Sequence, residues 1–193
     1  MITVDDVAAI VVTRGDVELD QVCKPLEDAG IAAIGIWDNS TEQNLSVFGR
    51  YAAIAHVTDP VILVVDDDVA LSQEAINGLL DAYRPRKLVS NMPPEYRERY
   101  TDSALVGFGS IFDRGLPSKA FKKFRQAAPL TNNEVFLRTA DVVFSVLTPL
   151  VFVDLPFEYL PWTRAPNRMY RQPGNGQERQ TMLTLCRHIR DNG

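Results

Sequence analysis

Three aspartates, Asp66, Asp67 and Asp68, follow directly on the apolar run Val61-Ile62-Leu63-Val64-Val65. Like charges side by side at the end of a buried segment repel one another, and enclosing them unpaired is very costly. A divalent cation or a ring of donors relieves that cost, so the triplet points to a site that handles metal and phosphate. Side chains alternate along a strand, which turns Asp66 and Asp68 to one side and Asp67 elsewhere. Two carboxylates roughly 6–7 Å apart along an extended backbone can hold a cation directly or through water. Hard oxygen ligands suit Mn²⁺ or Mg²⁺, and both can bridge to a diphosphate. The plainer alternative is an acidic turn with hydrated side chains, and the buried character of the preceding run argues against it.

The elements that must position these residues are legible in outline. Val7 to Thr13, Ile31 to Trp37 and Val61 to Val65 read as strands, the first and third enclosed on both faces. Between them a helix with Leu19, Val22, Leu26 and Ala29 on its apolar face is predicted, capped by Asp16, kinked or shortened by Pro25 and closed by Gly30. Leu45 to about His56 reads as a second helix, and Ser72 caps a third whose buried face is Ile76, Leu79, Leu80 and Tyr83. Further on, the pattern predicts strands over 87–90, 104–112 and 150–153. It predicts helices over 117–127, 139–147 and 177–189, and a mobile loop over 91–102. Alternating strands and helices imply an α/β fold with a mostly parallel central sheet flanked by helices. Ligands in such folds bind at the carboxyl ends of the strands. Three successive strands end in polar groups, Thr13-Arg14, Asp38-Asn39 and the aspartate triplet, which places all three along one edge.

Composition bounds the possibilities. The 193 residues suffice for one domain with a substantial core, and 46% of them are hydrophobic. No apolar stretch has membrane-spanning length, and the start of the chain lacks the basic residues of a signal peptide. Cys23 and Cys186 have neither metal-site nor CxxC spacing and read as reduced core thiols, so the expected compartment is cytoplasmic. A net charge of −5 argues against general nucleic-acid binding. The tail is an exception: Trp162 to Arg190 holds six arginines against one acid, Glu178. That is either a solvated basic face or an anion site, since arginine suits bidentate phosphate contacts.

The succession of a strand ending in Thr13-Arg14, a strand ending in Asp38-Asn39-Ser40 and then Val64-Val65-Asp66-Asp67-Asp68-Val69 resembles the GT-A glycosyltransferases, especially their large family-two group. The resemblance covers about the first ninety residues well. Val142-Val143-Phe144-Ser145 after Asp141 has some likeness to exostosin-type transferases. The resemblance implies a single GT-A-like, Rossmann-like domain over 1–193, with a nucleotide-binding half over about 1–90 and an acceptor-binding half over about 91–193. It implies a metal-dependent transfer of sugar from a nucleotide-diphosphate donor, UDP-sugar favoured, to a hydroxyl on a protein, glycan or other large acceptor.

The implied roles fall on particular positions. Thr13 and Arg14 would line the nucleotide pocket, with Asp38 at the base and Asn39 nearby. Arg50 matches a basic position facing the nucleotide. Asp66 would approach the ribose or a metal-bound water and, with Asp68, hold Mn²⁺ or Mg²⁺; Asp67 completes the donor-side triplet. Asp141 would face the acceptor as the base of an inverting reaction. Arg168 and Arg171 would belong to a loop closing over the diphosphate. The chain departs from the family in its short second half and in Ala140-Asp141, where a Glu-Asp pair is usual. Rival readings are a nucleotidyltransferase, whose glycine-rich basic signature Thr13-Arg14-Gly15-Asp16 does not reproduce, a receiver-type phosphoaspartyl domain, and a sugar-nucleotide-binding scaffold without a base. Plain structural readings stand beside each role: turn chemistry for Asp38-Asn39-Ser40, a helix N-terminal acid for Asp141, and structural histidines at 56 and 188.

Overall fold

Two segments that are apolar at every position, 7–12 and 61–65, form the centre of the molecule. The computed structural model describes residues 2–166 and 168–193. In chain order the elements are β1 (Val7–Thr13), α1 (Asp20–Asp28), β2 (Ala33–Asp38), α2 (Gly49–Ala53), β3 (Val61–Asp66), β4 (Val69–Leu71) and α3 (Gln73–Ala82). There follow β5 (Leu88–Ser90), α4 (Pro94–Arg97), β6 (Ser110–Asp113), α5 (Leu116–Ala127), α6 (Asn133–Val146), β7 (Leu150–Phe152), β8 (Phe157–Tyr159) and α7 (Asn175–Asn192). Six strands make one sheet in the order β2-β1-β3-β6-β5-β7, with β4 and β8 forming a separate antiparallel pair. β1 runs parallel to β2 and β3, β5 runs parallel to β7, and β6 alone is antiparallel to its neighbours. The fold is α/β and Rossmann-like, a mostly parallel sheet flanked by helices, as the alternation predicts.

The pleat divides the core in two, and this division decides what the site becomes. Odd-numbered residues of the central strands, Val7, Ala9, Val11, Leu63 and Val65, pack with Val22 and Leu26 of α1 and Ile76 and Leu79 of α3. Even-numbered ones, Ala8, Ile10, Val12, Ile62 and Val64, pack with Tyr51 of α2, Ala120 of α5 and Ala140 and Phe144 of α6. A third cluster joins Phe124, Phe136, Val143, Met182 and Cys186, seating α7 on α5 and α6.

Several local expectations shift for identifiable reasons. α1 starts at Asp20 with Leu19 at its cap and no side-chain cap; Asp16 instead lies 3.9 Å from Arg14. Pro25 sits inside α1, which stops after nine residues at Asp28, just before Gly30 at φ +89°. The segment from 104 is not one strand, because Val106–Phe108 form a 3-10 turn and Gly109 takes φ +96° before β6 begins. α6 begins six residues earlier than the predicted start at Thr139, capped by Asn132. Thr139 marks a kink, where its hydroxyl donates to Val135 O at 2.6 Å. The 91–102 segment contains α4 and is tied down at both ends: Arg97 donates to Met92 O and Val153 O, and Asp102 accepts from Arg187 and Arg190. The β4–β8 pair, only three residues in each strand, is too short for its alternation to be read in sequence.

Candidate functional site

β3 ends at Asp66, and Asp67-Asp68 form the turn into β4. Strand alternation therefore stops at Asp66, and the three carboxylates have three different surroundings. This corrects the expectation that Asp66 and Asp68 form a matched pair on one face of a continuing strand.

Asp66, an even position, faces the α2–α6 side. There Arg50 Nη2 donates to Asp66 Oδ1 at 2.6 Å, and Arg50 Nη1 lies 3.4 Å from Asp141 Oδ2. Tyr51 Oη donates to the other Asp141 oxygen at 2.7 Å. The Arg50 side chain is 1% exposed. Burial works against its charge, but Asp141 and then Asp66 more than offset this and raise its pKa. Burial pushes the Asp66 carboxyl above its usual range, Arg50 pulls it back, and Asp68, Asp141 and Asp67 push it further up. The Tyr51 hydroxyl is raised well above its ordinary value, first by burial and then by Asp141.

Asp67 turns to the α1–α3 side and is buried. It accepts from Thr13 Oγ1 at 2.9 Å and from Arg168 Nη1 at 2.8 Å. Thr13 in turn accepts the Gly15 amide at 3.1 Å. Gly15 has φ +73°, and a Cβ there would stand 2.1 Å from Ser40 Oγ, so only glycine lets the ends of β1 and β2 approach this closely. Leu160, Trp162 and Thr163 strap the turn: Trp162 Nε1 donates to Asp67 O at 2.7 Å, and Leu160 N and Thr163 Oγ1 donate to Asp68 O at 3.0 and 2.9 Å. Arg168 also donates through Nε to Trp162 O, and its buried Nη2 has no partner among the described residues.

Asp66 and Asp68 are both partly exposed, and Asp68 is the carboxylate of the three that no ion pair among the described residues reaches. Burial raises its pKa, with Arg168 opposing and Asp67 reinforcing.

The remaining positions are placed as follows. Asp38 accepts from Ser40 N and Ser40 Oγ at 2.8 and 2.7 Å, and these bonds lower its pKa; this is turn chemistry. Asn39 is a staple, donating to Thr13 O and Ser46 O and accepting from Leu45 N. Arg14 is exposed beside Asp16. Arg171 is exposed, with its Nε on the Tyr170 hydroxyl. Arg50, expected to face a nucleotide, is enclosed between two carboxylates. Asp141, expected at the acceptor, is buried at the other end of the same guanidinium. Thr13, Asp66, Asp67, Asp68 and Arg168 do gather at the end of β3.

Two contributors escaped the sequence reading. Tyr51 is buried on α2 and spends its hydroxyl on Asp141, a partner ninety residues away that its own segment does not indicate. Gly107 passed for a strand glycine. Its missing side chain leaves room for Asp66, since a Cβ there would lie 1.9 Å from Asp66 Oδ2.

No group of three His, Cys, Asp or Glu side chains placed to hold a metal exists among the described residues. A cation would therefore rest on the Asp68 carboxylate and draw its other ligands from water and from a bound phosphate. That donor set fits Mg²⁺ or Mn²⁺, which are commonly held by one or two carboxylates plus substrate phosphates.

No protein-family model matches the chain, and no curated protein matches it. What fold and site define on their own terms is a Rossmann-like α/β protein with an acidic turn, braced by two buried arginines, at the carboxyl end of its central strand.

Proposed function

We propose that this protein binds a nucleotide-diphosphate sugar at the carboxyl ends of β1, β2 and β3 and acts as a metal-dependent glycosyltransferase. The observation that carries the reading is the contrast in pairing within the triplet: Asp66 and Asp67 are neutralised by Arg50 and Arg168, while no ion pair among the described residues reaches Asp68. A carboxylate left with this environment is suited to a cation that a diphosphate completes. Mn²⁺ or Mg²⁺, when bound, would offset charge growing on a departing nucleoside diphosphate. The buried Arg168 guanidinium, held on Asp67, adds positive charge that acts on Asp68 as well. UDP is the favoured nucleotide, and the acceptor is a hydroxyl of a protein, glycan or other large molecule.

Thermal unfolding with UDP and UDP-sugars, with and without Mn²⁺, tests this. Ligand at a hundred times its Kd stabilises by about 2.7 kcal/mol, and the gain should require metal. If Asp68→Asn keeps the metal-dependent gain, the assignment of Asp68 fails.

One observation favours a second reading, a sugar-nucleotide-binding scaffold: Asp141, the candidate base, is committed to Tyr51 and Arg50. Donor hydrolysis separates the two, since binding without turnover of any UDP-sugar favours the scaffold.

A further inference from the structure

Helix α5 presents a charged face that its surroundings leave unanswered. Leu116, Ala120 and Phe124 turn into the core, and Ser118, Lys119, Lys122 and Gln126 are exposed on the opposite side. From Arg114 to Asn133 the chain holds five basic residues and no acid. In a chain of net charge −5, that +5 leaves −10 for the remainder, within which 162–190 is the other basic stretch. No ion pair within 4.0 Å engages Lys119, Lys122 or Lys123 among the described residues. The next loop carries Leu130, which is 97% exposed, far more than any other large apolar side chain described.

We propose that this face, Lys119 and Lys122 with Leu130, docks on an anionic lipid surface. Lysine ammonium groups on flexible stems reach headgroups without needing a fixed geometry. An aliphatic side chain beside them can enter the boundary between headgroups and acyl chains. The strongly negative remainder of the molecule is repelled by the same surface and turns this helix toward it.

Nucleic acid fits less well. The helix's aromatics, Phe121 and Phe124, pack inward, so the exposed face has no platform for bases. Its arginines are spent elsewhere: Arg125 bonds Asn133 at 2.9 Å and covers the Phe136 ring, and Arg114 bonds Val57 O. No helix is long and apolar enough to cross a membrane among the described residues, so the association is peripheral. It is independent of the nucleotide-sugar reading.

Co-sedimentation of the full chain with phosphatidylcholine vesicles, with and without phosphatidylserine, tests the proposal at low and high salt. Binding should require phosphatidylserine, disappear at high salt, and fall roughly tenfold or more in Lys119→Glu/Lys122→Glu, from a contribution of roughly fivefold per lysine. Leu130→Ser should weaken it severalfold while leaving the salt dependence in place. Should the charge-reversed variant unfold, Lys119→Gln/Lys122→Gln carries the same comparison. Absence of binding to phosphatidylserine vesicles at low salt overturns the proposal, as does binding that survives the lysine substitutions. Tighter binding to an oligonucleotide than to vesicles at equal salt also overturns it and assigns the face to nucleic acid.

Discussion

Arg50 donates to Asp66 at 2.6 Å from a side chain that is only 1% exposed. The pair spans α2 and the end of β3, and the same guanidinium reaches Asp141 on α6. A strand end, a short helix and a kinked helix are thus held together by one cation. The desolvation that makes such a cation costly also makes its removal costly, because two carboxylates lose their partner at once.

Arg50→Met should therefore destabilise the protein by about 3–5 kcal/mol. Urea unfolding measures it. Adding Asp141→Asn to Arg50→Met should recover part of the loss, since one stranded charge disappears with its partner. Strict additivity of the two substitutions would contradict the shared network.

Gly107→Ala should disturb the same carboxylate from the opposite side. The added Cβ would fall 1.9 Å from Asp66 Oδ2 and 2.0 Å from Asp66 Cγ, so the side chain must shift away from Arg50. Overpacking of this kind costs about 1–3 kcal/mol. A variant as stable as the parent, with unchanged backbone chemical shifts around Asp66, would show that the carboxylate does not sit over Gly107.

The sheet and most helices were legible because β1 and β3 are apolar up to their last residues, Thr13 and Asp66, and because Ser72 is an N-cap, its hydroxyl accepting the Ala75 amide at 3.1 Å. Local chemistry of that kind is written in neighbouring residues. Asp66 and Asp67 do separate, as expected, but the turn after β3 rather than a continuing pleat divides them. Asp68 was misread because nothing local marks where β3 stops: the turn at 67–68 is held by donors from Leu160 and Thr163, more than ninety residues away in sequence. Arg50 was expected to face a nucleotide and is instead enclosed between Asp66 and Asp141. Its burial depends on Asp141 and Tyr51 arriving from two other elements, which no single segment encodes.

Asp102 ties the 91–102 segment to α7 through Arg187 and Arg190, at 2.6 and 2.8 Å. The Arg187 hydrogen bond, reinforced by Arg190, holds its carboxyl down at about 2. A carboxyl with a lowered folded pKa contributes stability that is complete above its unfolded value, near 3.8, and is lost as pH falls toward 2. Asp102→Asn should remove that contribution near neutrality and flatten the acid limb of the stability profile between about pH 4 and 2. Stability profiles from denaturant titrations across that range provide the check, and parallel acid limbs in parent and variant would refute the tie.

Arg168 and Trp162 make the strap over the turn observable. The Trp162 indole donates to Asp67 O at 2.7 Å, Arg168 donates to Asp67 Oδ1 at 2.8 Å, and Arg168 also donates to Trp162 O at 3.1 Å. The strap thus encloses the middle aspartate through both its backbone and its side chain. Arg168→Met removes the charge that answers Asp67 and leaves Thr13 as its one side-chain partner among the described residues, at an expected cost of about 3 kcal/mol or more. Because the strap's remaining anchors are the Leu160 amide, Thr163 and the indole, the loss should be local before it is global. In a Trp37→Phe background, where Trp162 is the sole tryptophan, its emission should shift to the red in Arg168→Met at denaturant concentrations that leave the circular dichroism unchanged. Thr13→Val, which removes the other donor to Asp67 but keeps the arginine, should leave that emission near the parent's. If Arg168→Met unfolds in a single step with fluorescence and circular dichroism superimposed, the strap is part of the global core rather than a separately opening cover.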